Sequence, residues 1–314
     1  MAVHAFIFPG QGSQAVGMGR DLAASFAPAR HVFEEVDEVL KQKLSKLMFE
    51  GPNDELTLTE NAQPALMAVS LAVLRVLQAE GGITLKDKAR LVAGHSLGEY
   101  GALAAAESFS VAETARLLKL RGQAMQKAVA PGVGAMAALL GVEFEAAQDI
   151  CREAAQGEIV SAANDNGGGQ VVISGHKSAV ERAIELAKSR GVKRAMLLPV
   201  SAPFHCALMA PAADAMAEAF ANTPPRTPVV PVVANVTAAP TTDPNQIRDL
   251  LVQQVTATVR WRESVQAMTA AGIDSFIELG AGKVLAGLVK RISPDAAAHS
   301  VGTPADIEAI LKVL

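Results

Sequence analysis

Ser96 lies in Ala93-Gly94-His95-Ser96-Leu97-Gly98-Glu99, and the spacing Gly94-x-Ser96-x-Gly98 is that of a nucleophile elbow. The apolar run Ala89-Arg90-Leu91-Val92 precedes it, and Tyr100-Gly101-Ala102-Leu103-Ala104-Ala105-Ala106 follows as a helical pattern. Strand, tight turn, serine and helix in that order point to a catalytic serine nucleophile. The glycines leave room for a sharp turn, and the helix N-terminus favours developing negative charge. Such a serine needs a base and an oxyanion hole. Of the six histidines, His95 adjoins Ser96, where the elbow turns its side chain away. His205, in Val200-Ser201-Ala202-Pro203-Phe204-His205-Cys206, sits in a loop leading into a helix and suits a base delivered over the serine. His4, His31, His176 and His299 read as surface or hydrogen-bonded structural residues.

The oxyanion hole calls for the N–H of Leu97 and a second N–H from a loop after another strand, for which Phe8-Pro9-Gly10-Gln11-Gly12-Ser13-Gln14 is a candidate. No carboxylate stands out as a third triad member: Asp165, Asp214 and Asp249 all fall in unpromising places. Arg121, read from the residues alone, is a solvated side chain on a helix, like Arg116 and Lys119. Gly280-Ala281-Gly282-Lys283-Val284 resembles the end of a P-loop, but Ile277 holds the first glycine's position and Val284 replaces Ser/Thr, which argues against a nucleotide site. The loop Asn166-Gly167-Gly168-Gly169 does not match a dinucleotide fingerprint.

These residues must be carried by an α/β fold, since strand-like runs alternate with helical patterns along the chain. Strands are expected at 4–8, 89–93, 229–233, 274–278 and 298–301, and helices at 64–79, 110–128, 207–221, 261–271 and 304–313. Gln63-Pro64 reads as a helix start, with Pro64 in the first turn. The middle differs: strand 134–140, helix 143–155, strand 158–163, strand 170–174, helix 177–190 and strand 193–198 follow the β-α-β-β-α-β order of ferredoxin-like units. The expected division is a catalytic subdomain of residues 1–130 and 199–314, with residues 131–198 inserted as a small subdomain.

The 314 residues are 50% hydrophobic but only 4% aromatic, so a large core must be built from aliphatic side chains. A net charge of −4 argues against general nucleic-acid binding. Two cysteines, Cys151 and Cys206, form neither a disulfide framework nor a metal pattern, which suggests reduced thiols and a cytoplasmic setting. No uninterrupted apolar run approaches the roughly 18 residues of a membrane span, and no secretory signal pattern opens the chain. A monomer is expected, because nothing in the composition demands an interface.

The chain resembles the malonyl-CoA:acyl carrier protein transacylases and the related acyltransferase domains of polyketide synthases. The resemblance runs nearly end to end. Its motifs are Phe8-Pro9-Gly10-Gln11-Gly12-Ser13-Gln14, Leu58-Thr59-Glu60-Asn61-Ala62-Gln63-Pro64-Ala65, Gly94-His95-Ser96-Leu97-Gly98-Glu99-Tyr100 and Arg121-Gly122. Further along come Gln170-Val171-Val172-Ile173-Ser174-Gly175, His205, Gln254 seven residues before Trp261, and Glu278-Leu279-Gly280-Ala281-Gly282-Lys283. It implies an α/β-hydrolase-like large subdomain with a ferredoxin-like insertion. It also implies Ser96 as acyl-carrying nucleophile, His205 as base oriented by the backbone carbonyl of Gln254, and Gln11 and Leu97 N–H groups as oxyanion hole. Arg121 would hold the malonyl carboxylate through two parallel hydrogen bonds, with Gln63 and Phe204 in the substrate site. A phenylalanine at 204 supports malonyl over methylmalonyl selection. Gly168 stands where many members have proline, which implies a looser loop.

The activity so implied is ping-pong transfer of malonyl from malonyl-CoA to the phosphopantetheine thiol of acyl carrier protein, without metal or redox cofactor. A free-standing chain leans towards fatty acid rather than polyketide synthesis. Carrier proteins are acidic, so a basic face is expected, with Lys188, Arg190, Lys193 and Arg194 on the inserted unit and Lys290 and Arg291 after Gly280 as candidates. Two other classes share parts of this pattern. A serine hydrolase would leave Arg121 without a task and would want a carboxylate behind His205, and a non-catalytic scaffold would not need Ser96, His205, Gln254 and Arg121 together.

Overall fold

The computed structural model describes residues 2–314, and among them ten strands form two sheets. In chain order the strands are β1 (His4–Phe8), β2 (Ala89–Gly94), β3 (Gly134–Leu140), β4 (Val160–Asp165), β5 (Gln170–His176), β6 (Arg194–Leu197), β7 (Val232–Val233), β8 (Pro240–Thr241), β9 (Ser275–Leu279) and β10 (Ala297–Val301). The large sheet has the order β10-β9-β1-β2-β7-β8 and is parallel except where β8 turns back on β7. Its central strand β1, His4-Ala5-Phe6-Ile7-Phe8, is buried at every position, as a parallel strand covered on both faces must be.

One face of this sheet packs on the helix Thr59–Gly81, which is apolar nearly all round and buried at every position from Asn61 to Leu74. By length and composition this helix would pass for a membrane span, yet 83% of its most apolar window lies inside the protein. Helix Val111–Lys127 runs against it, opened by a capping box in which Ser110 and Glu113 exchange side-chain and backbone bonds. Contact between the two backbones depends on Gly122, where an added Cβ would come within 2.5 Å of Glu60 Cα. The opposite face is covered by helices Trp261–Ala270 and Val284–Ile292, with Trp261 fully buried.

The small sheet has the order β4-β5-β3-β6, antiparallel throughout, with helices Phe144–Ala155 and Lys177–Ser189 on one face around a core of their own. This is the ferredoxin-like arrangement expected from the strand order. Asp165 N–H bonds to Val259 O and Val259 N–H to Ala163 O, so the edge strand β4 joins the large unit.

Two expectations need correction. Pro64 is not in the first turn: the helix begins at Thr59, and Pro64 stands inside it. The long apolar face carries the helix through the one hydrogen bond that proline cannot make. The strand expected over 229–233 is only Val232–Val233, because Pro228 and Pro231 remove ladder donors on either side of Val229-Val230.

Gly122→Ala should force the two helices apart, because the obstruction is backbone and cannot rotate away. We expect a loss of about 1–3 kcal/mol in denaturant-induced unfolding. An unchanged midpoint would contradict the close approach.

Candidate active site

The elbow forms because β2 runs directly into the helix Gly98–Ala105 with no room for a loop. A Cβ at Gly94 would meet Gly98 at 1.9 Å, and one at Gly98 would meet Phe8 O at 2.2 Å, so both positions must be glycine. Ser96 between them takes φ +53, the left-handed conformation that side-chain-bearing residues avoid. The turn lifts Ser96 Oγ into a cavity of about 580 Å³, lined among others by Gln11, Gln63, His95, Leu97, Arg121, Phe204 and His205.

His205 Nε2 lies 2.7 Å from Ser96 Oγ, and His205 Nδ1 lies 2.8 Å from Gln254 O. A carbonyl only accepts, so Nδ1 carries the proton and Nε2 is left free to take one from the serine. His205 also has a positive φ, +57, and is buried. Burial, reinforced by the Arg121 guanidinium, holds its pKa down at about 3. No carboxylate touches it: Asp165 pairs with Arg262, while Asp214 and Asp249 are exposed. The hydrogen-bonded Ser96–His205 pair is the geometry of a base-activated hydroxyl.

Arg121 is 1% exposed, not solvated as the residues alone suggest. The exposed residue of that pair of readings is Arg116, one and a half turns away on the outer face. Arg121 Nη1 donates to Gln63 Oε1 at 2.8 Å, and Nη2 donates to Gln254 Oε1 at 2.8 Å and to Ser96 Oγ at 3.3 Å. Its carbon centre stands 5.5 Å from the Tyr100 ring centroid, a cation–π distance. Among the described residues no carboxylate is bonded to it. The nearest, Glu99, is reached only through the Gln254 amide, whose Nε2 donates to Glu99 Oε2 at 2.9 Å. Burial raises the Glu99 pKa to about 7. A buried cation without a counter-ion is costly, and a planar carboxylate from a ligand would satisfy it.

Among the described residues, neither the Gln11 nor the Leu97 N–H donates to another group of the chain, which leaves both for a ligand oxygen. His95 turns away from the reacting pair and meets Asn166 Oδ1 through Nε2 at 2.9 Å, across to the small unit. Gly168 has φ +59, which proline cannot adopt, and lies against the Arg291 side chain. The P-loop-like segment does not form a phosphate cradle: buried Glu278 fills the start of helix Val284–Ile292, accepting from the N–H groups of Leu285 and Ala286.

Asn235 is absent from the sequence reading. Its Oδ1 accepts the Ser96 N–H at 2.8 Å and its Nδ2 donates to Gly94 O at 2.6 Å. Only its place just past the strand expected at 229–233 hinted at it.

The family model described as acyl transferase domain matches residues 5–307. A protein named malonyl CoA-acyl carrier protein transacylase from Escherichia coli (strain K12) is 46% identical over 313 residues, covering 100% of both chains. The crystal structure of an acyl-carrier-protein-S-malonyltransferase from Bartonella henselae is similar at TM-score 0.97 and 56% identity, over 99% of each chain. A type II polyketide synthase acyl-carrier protein has been solved in complex with its malonyl-transacylase. That transacylase is similar to this chain at TM-score 0.96 and 44% identity, over 100% of both. Likeness of this order along the whole length establishes that the chain belongs to the malonyl-CoA:acyl carrier protein transacylases of the acyl transferase domain family.

Proposed function

We propose that the chain transfers malonyl from malonyl-CoA to the phosphopantetheine thiol of acyl carrier protein through a malonyl-Ser96 ester. The observation that carries this reading is the buried Arg121 guanidinium, without a carboxylate partner, beside the Ser96–His205 pair. Ser96 Oγ attacks the thioester carbonyl while His205 Nε2 takes its proton. The oxyanion is held by the Gln11 and Leu97 N–H groups. The C–S bond breaks, and coenzyme A leaves as a thiol with the proton from His205. The carrier's thiol then gives its proton to His205 and attacks the ester. The C–O bond breaks, and Ser96 regains its proton.

Malonyl selection follows from charge. Arg121 lowers the basicity of His205, and a carboxylate on Arg121 cancels part of that field. A malonyl group therefore both satisfies the buried cation and strengthens the base, which an acetyl group cannot do. Gln63 fixes the guanidinium, and Phe204 closes the pocket wall. The reaction needs no metal or redox cofactor, since only protons and an acyl group move. We assign it to fatty acid synthesis, as a monomer, and to the cytoplasm, the last in keeping with two buried, unpaired thiols at Cys151 and Cys206.

The carrier docks, on this reading, beside Lys290 and Arg291. They close the helix whose first residues, Val284 and Leu285, line the cavity, and Arg291 reaches Gln170 on its rim. Lys188 and Arg190 are already paired, with Glu185 and Glu153, and offer less free charge. Lys193 and Arg194 are exposed on the inserted unit.

Intact-mass measurement after brief mixing with malonyl-, acetyl- and methylmalonyl-CoA in competition tests the reading. A malonyl adduct should form, vanish in Ser96→Ala, and lose its malonyl preference in Arg121→Ala. Rapid free malonate with no adduct would instead mark a hydrolase. In NMR of ring-labelled histidine, His205 should remain the neutral Nδ1–H tautomer from pH 8 to pH 5, because its depressed pKa delays protonation. A midpoint near the ordinary value of about 6.5 would contradict the burial argument. Charge reversal at Lys290 and Arg291 should raise KM for the carrier and flatten its salt dependence while leaving acylation by malonyl-CoA intact. Unchanged carrier kinetics would move the docking site elsewhere.

A further inference from the structure

On its β7 side, the ladder of β2 ends one residue too early. Ala93 pairs with Val233, and there β7 stops. Gly94 O and Ser96 N–H, the next groups to face that side, have no strand opposite them. The Asn235 carboxamide takes the strand's place. Its Oδ1 accepts from Ser96 N–H at 2.8 Å, and its Nδ2 donates to Gly94 O at 2.6 Å. Because one partner can only donate and the other only accept, the amide has a single satisfactory orientation. Asn235 is itself held: it is 1% exposed, its N–H donates to Glu99 Oε2 at 3.0 Å, and its carbonyl accepts from Arg260 N–H at 3.1 Å.

This bridge spans the residue that most needs holding. Ser96 sits at φ +53, a conformation that persists only where its surroundings over-determine it. The other bonds of the turn are Gly98 N–H to His95 O and Glu99 N–H to Ser96 O on its helix side, His95 N–H to Phe8 O on the β1 side, and Gln254 Nε2 to Ser96 O at 2.9 Å; none of them holds Gly94 O or Ser96 N–H on the β7 side. Relaxation there would swing Cα–Cβ of Ser96 and lengthen the 2.7 Å contact between Oγ and His205 Nε2.

We propose that Asn235 is a positioning residue: its carboxamide clamps Gly94 and Ser96 from the strand side and so aims the Ser96 hydroxyl at His205 and the acyl carbonyl. The proposal deepens the transfer reading and rests on it for the substrate. Asn235 does not touch the Arg121 guanidinium and reaches that side of the site only through a 3.3 Å contact of its Oδ1 with Gln254 Nε2, so it should govern rate more than binding.

The test reads Ser96 reactivity directly, as the rate of labelling by a fluorophosphonate, alongside kcat and KM for malonyl-CoA. Asn235→Ala should slow labelling and kcat on the order of 100-fold, the scale of a misplaced reacting atom, with KM within a few-fold of wild type. Asn235→Asp supplies the rescue. Protonated, the introduced carboxyl accepts from Ser96 N–H and donates to Gly94 O as the amide does. Ionised, it loses the donor and sets a second negative charge beside Glu99. The charged and titratable groups around it are Glu99, Arg121 beyond the Gln254 amide, His205, His95, and the Arg260–Glu263 pair. Labelling of Asn235→Asp should thus approach wild type at pH 5.5 and fall relative to wild type at the same pH as pH rises to 8, the ratio removing the titration of Glu99 near 7 that both proteins share. Equal loss in the two variants at every pH, or wild-type labelling in Asn235→Ala, would overturn the clamp. Should Asn235→Ala fail to fold, the pH trend of Asn235→Asp decides alone. A wild type that labels normally but takes no malonyl from malonyl-CoA would sink the transfer reading and leave the clamp standing on its own result.

Discussion

A guanidinium buried without a carboxylate is the constraint around which this molecule is arranged. Desolvating a cation costs several kcal/mol unless its donors are met, and two glutamine amides, Gln63 and Gln254, accept from the terminal nitrogens of Arg121 without neutralising it, while its Nε is buried with no partner among the described residues. They come from opposite ends of the chain, so the helices that bear them must converge on one point. The close contact at Gly122 brings the helix bearing Arg121 against the one bearing Gln63. The resulting site stays electrostatically open towards an anion.

The same amides connect specificity to chemistry. Gln254 accepts from Arg121 with one end of its side chain, donates to Glu99 and to Ser96 O with the other, and holds His205 with its backbone carbonyl. A carboxylate in the usual triad position would place a negative charge near Arg121 and compete with a malonyl group. A neutral carbonyl fixes the imidazole tautomer without doing so, which gives the missing aspartate a physical reason. The hydroxyl and imidazole both rest on left-handed backbone, and the strain at each is contained by buried polar partners rather than by flexible loops.

The small unit adds the outer wall. Met136, Val172 and Gln170 of its sheet line the cavity, and the side not covered by its own helices faces the elbow. His95, which cannot serve as base, has a different place: it bonds to Asn166 and packs on Trp261 at a ring distance of 5.7 Å, joining the elbow to the inserted loop.

Element types, the elbow, the β-α-β-β-α-β insertion and the candidacy of Ser96 and His205 were legible from residue order, because turn chemistry and hydrophobic period act over a few neighbouring residues. The elbow also pointed to the Leu97 N–H and to the loop holding Gln11, and the family motifs extended that legibility to Gln11 itself, Arg121 and Gln254. Local signals failed where burial overrode them. Pro64 reads as a helix start but lies inside a helix carried by its apolar face, and Arg121 reads as solvated because nothing in its own helix reveals what covers it. Asn235 carried no signal beyond its place just past an expected strand. Its bonds to Ser96, like those of Gln254 to Arg121 and to His205, span 139, 133 and 49 residues and exist only once the sheet order has brought distant strand ends together. The sequence by itself determined which groups were available for acyl chemistry. Only the tertiary structure decided which of them lost their water and met, and that loss of water sets their charge, basicity and aim.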